Sequence, residues 1–235
     1  MADWITAVVP AAGRGVRMGT NVPKQFLTLG GVPLLVHALQ VFESTPSISE
    51  IILVVPEDDC RDCREDIVPT YGFQKVSKVV AGGRRRQDSV LNGVHAANPA
   101  SDIIVVHDAV RPFVTETMIM EVVKAAQRYG AAIVAIPMRD TVKRVEDGLI
   151  EETLSRDHLW LAQTPQAFHK ELLVRAHQQG ESDGIDATDD AFLVERLGLP
   201  VAIVQGSSDN IKVTRPEDLH MGQAILVAKQ SESCP

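Results

Sequence analysis

The sequence predicts an open, mostly parallel α/β sheet with helices on both faces and one β-hairpin projecting as an arm. Three observations carry this expectation. Short Val- and Ile-rich runs alternate with longer stretches of helical spacing. The apolar runs are almost unbroken rather than alternating, as in strands covered on both faces. Where the rhythm fails, an Asp-Gly pair separates two extended runs, a short-range hairpin signal.

Taken in order, residues 5–9 read as the first strand, followed by a glycine-rich loop and a helix over 34–42. Strands follow at 51–55 and 76–80, a helix at 87–97, and a strand at 103–106. The stretch 116–129 is helical because Met118, Val122, Ala125 and Ala126 recur at helical spacing, and 131–136 returns as a strand. Between Met138 and Thr164 the runs 141–145 and 149–154 flank Glu146-Asp147-Gly148, and segment 138–164 reads as an arm rather than a second domain. Residues 1–235 therefore read as one domain. Helices over 170–178 and 189–197 and a strand over 201–204 complete the pattern. Thr214 and Glu217 have capping-box spacing before the last helix, with Pro216 in its first turn, and 230–235 reads as a frayed tail.

Composition narrows the function classes. At 235 residues, 45% hydrophobic and 23% charged, the chain can bury a sizeable core without staples. The net charge of −8 argues against a general nucleic-acid-binding surface, though not against a local basic pocket. Three cysteines make no disulfide framework. An acid at Asp3 is unlike a signal peptide, and no apolar run approaches the roughly 20 residues of a membrane span. A cytoplasmic protein is the expectation.

The strongest motif runs from Pro10-Ala11-Ala12-Gly13 through Arg14, Gly15, Arg17 and Gly19 to Pro23-Lys24-Gln25. Small residues let backbone N–H groups approach phosphate oxygens, while Arg17 and Lys24 supply neutralising charge. Met18 occupies the third glycine position of a dinucleotide fingerprint, and no Walker triplet follows, so an NAD-dependent oxidoreductase is disfavoured. Asp108 ends a buried strand, where open sheets place ligands; its carboxylate could hold Mg²⁺, cap a helix or pair with Arg111. Asp209 is a second carboxylate near the end of a later strand. Three consecutive arginines, Arg84 to Arg86, read as a solvated loop. Cys60 and Cys63 form a bare C-x-x-C with weak redox credentials. His107 lacks an accompanying nucleophile and reads as a structural histidine.

The run from Pro10 to Gln25 resembles the nucleotide-binding signature of sugar-phosphate nucleotidyltransferases. Gly82-Gly83, Arg86 to Val90, Val106 to Pro112, Arg139-Asp140-Thr141, Gln163 to Gln166 and Asp209 to Thr214 follow in order. Together they resemble the 2-C-methyl-D-erythritol 4-phosphate cytidylyltransferase family of the non-mevalonate isoprenoid pathway. The resemblance implies a Rossmann-like sheet of the nucleotide-diphospho-sugar transferase type and transfer of CMP from CTP to a sugar-alcohol phosphate, with Mg²⁺ or another divalent cation. It implies that Pro10, Ala11, Ala12, Gly13, Gly83 and Ser89 bind the nucleotide, and that Arg17, Lys24 and Lys212 are catalytic. It further implies that Asp108 binds substrate and, with Asp209, positions the metal directly or through water. Thr141 and Arg156 would hold the acceptor phosphate across a homodimer interface formed by the arm. Ribitol-5-phosphate cytidylyltransferases share nearly all the nucleotide motifs, and a non-catalytic nucleotide sensor is disfavoured by Arg17, Lys24 and Lys212.

Overall fold

The computed structural model describes residues 3–13 and 23–232, so Arg17 lies outside the described residues. Seven strands form one sheet in the order β11-β7-β10-β6-β1-β4-β5. They are β1 (Trp4–Pro10), β4 (Glu50–Val55), β5 (Val76–Ala81), β6 (Ser101–Val106), β7 (Ala131–Pro137), β10 (Trp160–His169) and β11 (Ala202–Gln205). The small ribbon β2 (Thr28–Leu29) and β3 (Val32–Pro33) and the hairpin β8 (Val142–Glu146) and β9 (Leu149–Leu154) stand apart from that sheet. All pairings in the seven-stranded sheet are parallel except those of β10, which runs antiparallel to both β6 and β7.

Alternation along each strand builds two cores. Ile5, Ala7 and Val9 of β1 face helices α1 (Leu34–Ser44) and α5 (Glu116–Tyr129), together with Ile51, Leu53 and Val105. Val8 faces the opposite layer with Ile52, Val54, Ile104 and Val106. That layer comprises α4 (Arg86–Ala96), α6 (Lys170–Ser182) and α7 (Asp190–Arg196). Between β4 and β5 the short helices α2 (Cys60–Asp62) and α3 (Val68–Thr70) flank a π turn, Cys63–Ile67. Cys60 and Cys63 are both free, and burial pushes the Cys63 thiol up to about 12, which leaves it an unreactive core residue.

The lower end of the sheet is fastened by Glu50. Its carboxylate accepts from Thr6 Oγ1 at 2.9 Å, Ser77 Oγ at 2.6 Å and the Asn98 amide at 2.8 Å, tying β1, β4 and β5 to the turn before β6. The upper end lies at the switch of strand order, because β1 leads to β4 on one side and has β6 on the other. That crevice is where open α/β sheets bind ligands.

Two expectations change in detail. The final helix, α8 (Pro216–Glu232), is capped by Asp218 rather than Glu217. Asp218 Oδ2 accepts from the Thr214 amide at 2.7 Å, the Thr214 hydroxyl at 3.0 Å and the Arg215 amide at 2.9 Å. The helix begins at Pro216, so Asp218 is its third residue and takes the Arg215 amide as the acid of a capping box does. The second change is β10, a strand that periodicity did not indicate because Gln163, Thr164, Pro165 and Gln166 interrupt its apolar pattern.

Candidate active site

Four segments meet at the upper end of β6. The turn after β6 carries His107, Asp108 and Arg111, α4 begins with Arg86, and β10 bulges between Ala162 and Gln166. The segment after β11 carries Asp209, Asn210 and Lys212. Hydrogen bonds join them: Arg111 Nη1 donates to the Asn210 carbonyl at 2.7 Å, and Asn210 Nδ2 donates to the Thr164 carbonyl at 2.9 Å. Gln163 Nε2 donates to the Ser207 carbonyl at 2.9 Å. They enclose a cavity of about 230 Å³ lined by Arg86, Asp108, Arg111, Gln163, Thr164 and Lys212 among others.

Asp108 is the electrostatic centre of this cavity. Lys212 Nζ lies 2.8 Å from Oδ2, Arg86 Nε 3.2 Å from Oδ1, and Arg111 Nε 3.8 Å from Oδ2. Burial alone would raise the Asp108 pKa, but Arg86, Lys212 and Arg111 hold it well below the usual carboxylate range. Asp189 also lines the cavity, and Asp190 takes a second contact from Arg86, so the three cations face three carboxylates.

His107 fixes the turn that presents Asp108. Its Nε2 lies 3.1 Å from the Arg111 carbonyl, an atom that only accepts, so Nε2 carries the hydrogen. Nδ1 therefore accepts from the Thr164 hydroxyl at 3.0 Å, and Thr164 Oγ1 accepts from the Asp108 amide at 3.0 Å. Burial pushes the His107 pKa down to about 4, in keeping with a neutral ring that joins two loops. It is a structural histidine.

The loop leaving β1 lies beside the turn after β6, with the Ala109 amide donating to the Pro10 carbonyl at 3.4 Å. The Ala11 amide donates to the Val54 carbonyl at 2.6 Å, and the Gly82 amide donates to the Val55 carbonyl at 2.8 Å. Pro10 to Gly13 and Gly82-Gly83 are thus set over the ends of neighbouring strands. A Cβ on Gly82 would lie 2.3 Å from Ala12 Cβ and 2.9 Å from Ser89 Oγ, and one on Gly83 would lie 2.4 Å from Asp88 Cβ. Only glycine permits this approach. The Gly83 amide donates to Ser89 Oγ at 3.0 Å, and that hydroxyl donates to the Arg85 carbonyl at 3.1 Å. Lys24 folds over the same loop, with Cε 3.3 Å from where a Gly13 Cβ would stand.

The remaining expected residues stand farther apart. Asp209 is half-exposed, with Lys229 Nζ at 3.8 Å. Asp108 and Asp209 offer the hard oxygen donors that Mg²⁺ takes, and among the described residues no group of three or more metal-ligating side chains converges. Both Asp108 oxygens are engaged by cations, so a magnesium ion there would have to share them and draw most of its ligands from substrate phosphates and water. Thr141 and Arg156 are exposed at the base of the β8–β9 arm and do not line this chain's cavity. The Arg156 guanidinium donates to the Arg139 carbonyl.

Arg86 corrects the expectation of a solvated arginine loop. Arg85 is engaged by Asp88 and Glu181, Arg84 is exposed, and Arg86 turns inward to bridge Asp108 and Asp190. The signal that could have singled it out is its place as the first residue of α4, three residues before Ser89.

A sequence model of 2-C-methyl-D-erythritol 4-phosphate cytidylyltransferase matches residues 5–228. The chain belongs to the 2-C-methyl-D-erythritol 4-phosphate cytidylyltransferase family. It is similar to the Syntrophus aciditrophicus enzyme of that name, at 49% identity over 96% of this chain and 97% of the relative. The Pelotomaculum thermopropionicum enzyme of the same name is 48% identical over 97% of this chain and 96% of the relative. The crystal structure of 4-diphosphocytidyl-2C-methyl-D-erythritol synthase from Anaerococcus prevotii superposes with a TM-score of 0.86 at 33% identity, covering 96% of this chain and 97% of that one. The Thermus thermophilus cytidylyltransferase structure gives a TM-score of 0.77 at 35% identity, covering 94% and 98%. Family membership sets aside the oxidoreductase reading, and the open, mostly parallel sheet is the fold of these cytidylyltransferases.

Proposed function

We propose that the chain transfers CMP from CTP to 2-C-methyl-D-erythritol 4-phosphate, yielding 4-diphosphocytidyl-2-C-methyl-D-erythritol and pyrophosphate for isoprenoid precursor synthesis. The observation that carries this reading is the cavity in which Arg86, Arg111 and Lys212 surround the ionised Asp108, with the glycine loop set over the neighbouring strand ends and Lys24 against Gly13. The reaction needs little proton transfer. A phosphate monoester is mostly dianionic at neutral pH, so an acceptor oxygen can attack the α-phosphorus of CTP directly. A new P–O bond forms there as the bond to the bridging oxygen of pyrophosphate breaks. Repulsion between anions is the barrier, and fixed cations lower it.

Lys24 and Arg17 would meet the α-phosphate and the leaving pyrophosphate, and Lys212 would bridge donor and acceptor phosphates. Gly83 and Ser89 would meet the cytosine edge, with Pro10, Ala11, Ala12 and Gly13 along the triphosphate. Asp108 and Asp209 would hold Mg²⁺, which when bound neutralises charge on the triphosphate. Thr141 and Arg156 would serve the neighbouring subunit of a homodimer, which accounts for their distance from this chain's own cavity. Exposed Val145, Leu149 and Ile150 on the arm, at 55%, 74% and 65%, support such a contact. No helix among the described residues is long and apolar enough to cross a membrane. The cytoplasmic location we propose rests on family membership.

The test is pyrophosphate release from CTP and Mg²⁺ with methylerythritol phosphate, against ribitol 5-phosphate as rival acceptor. Release with the first alone is expected. Release with ribitol 5-phosphate alone would keep the chemistry and replace the acceptor.

A further inference from the structure

The cations of the cavity do not rest on Asp108 alone. Arg86 divides its guanidinium between two carboxylates, with Nε donating to Asp108 Oδ1 at 3.2 Å and Nη1 to Asp190 Oδ2 at 2.7 Å. Asp190 is fully buried at the start of α7 and does not line the cavity. Its other oxygen lies 3.0 Å from Nε2 of the buried His177 on α6, and because a carboxylate only accepts, that nitrogen donates. A line of polar contacts therefore runs His177–Asp190–Arg86–Asp108–Lys212, from the interior of a helical layer to the lysine of the site.

Burying a carboxylate is costly, and an apolar pair of similar volume often packs as stably, so a wholly interior Asp190 calls for a reason beyond stability. Geometry supplies one. Asp108 gives Oδ1 to Arg86 and Oδ2 to Lys212. An arginine with no second partner favours the two-pronged grip on a carboxylate, which would take both oxygens and compete with Lys212. Asp190 instead holds Nη1 on the far side of the fork, so that Arg86 meets Asp108 through Nε alone and Nη2 is left without a hydrogen-bond partner.

We infer that Asp190, steadied by His177, is a positioning residue of the phosphate site: it restrains Arg86 to one oxygen of Asp108 and leaves Lys212 anchored on the other. This rests on the proposed cytidylyl transfer only in assigning the cavity to phosphate groups. Asp190→Asn keeps the side chain's shape but replaces the charge-assisted bond from Arg86 with a weaker neutral one, loosening the arginine without opening a cavity. Removing a negative charge near the cavity would by itself tighten anion binding, whereas releasing Arg86 would weaken it.

Calorimetric titration of the full-length protein with inorganic phosphate distinguishes these outcomes. Asp190→Asn should bind phosphate about ten-fold more weakly than wild type, the scale of coupling within one ion-pair network. His177→Leu, which strips Asp190 of one donor, should weaken binding in the same direction, and His177→Gln, which restores a donor, should recover it. In an Arg86→Lys background, Asp190→Asn should add no further loss, whereas a residue that merely supports the fold would add its effect in full. Equal or tighter binding by Asp190→Asn, additive loss with Arg86→Lys, or a wild type that binds no phosphate would each overturn the inference. A wild type that binds phosphate and shows this variant pattern, yet releases no pyrophosphate from CTP, would remove the proposed reaction and leave the positioning role standing.

Discussion

A methyl group at Gly82 would collide with Ala12 Cβ at 2.3 Å and with Ser89 Oγ at 2.9 Å. Ala12 has no rotamer to move aside, so the loop after β1 would have to retreat. Gly82→Ala should cost about 1–3 kcal/mol, as overpacking does, and should raise KM for CTP more than KM for the acceptor. A uniform change in both constants would place the damage elsewhere. Lys24 makes the opposite prediction. Lys24→Ala should lower turnover by about 10²–10³-fold, the cost of removing one preorganised charge-stabilising group, while melting shifts by only about 2 °C. Unchanged pyrophosphate release would remove Lys24 from the chemistry. These two residues stood out because a glycine pair and a cation beside a glycine loop have few other uses. Arg86 did not, since Arg84, Arg85 and Arg86 are chemically identical in sequence and only the register of α4 turns one inward. Thr164 and Asn210 were likewise silent as individual residues, because their roles depend on a bulge in β10 and a turn after β11.

At the scale of elements, the parallel strands were legible from their apolar runs and the arm from Asp147-Gly148. Asp147 at φ 49° and Gly148 at φ 80° occupy the two central positions of a tight hairpin turn, which Asp-Gly adopts at low cost. β10 was not legible. Its outer half, Trp160 to Ala162, is exposed, and a polar run then turns inward to build the cavity, so no single period describes it. The arm carries a prediction that belongs to it alone. If Arg156 serves the neighbouring subunit, mixing inactive Lys24→Ala with inactive Arg156→Ala and allowing exchange should restore roughly a quarter of wild-type activity, because each heterodimer of an isologous pair contains one intact site. A mixture that stays inactive after verified exchange would confine Arg156 to its own chain. Replacing Leu149 and Ile150 with Glu should shift the sedimenting species towards monomer and lower activity with it.

Among the described residues, ionisable groups are buried at both ends of the sheet. Glu50 clasps the lower sheet, while His107, Asp108 and Asp190 underlie the upper site. His107 has a folded pKa of about 4 against an ordinary 6.5, so between those values the unfolded chain binds a proton that the folded one refuses. Stability should therefore fall as pH drops through that window, by roughly 3 kcal/mol if the shift is fully expressed. Asp108 and Asp190 act lower down. Burial would raise both, but Arg86 leads the charges that hold them below 3.8, so their contribution is complete above that value and is lost as pH falls beneath it. Acid should thus weaken the protein in two stages that begin at the active end of the sheet. Urea midpoints measured at intervals from about pH 8 to pH 3 should show the first decline near pH 6, well above any carboxylate. His107→Gln should be less stable at neutral pH yet nearly flat across the first stage. A wild-type curve flat down to pH 4 would mean that His107 takes up its proton inside the fold, and that the turn presenting Asp108 opens without global unfolding.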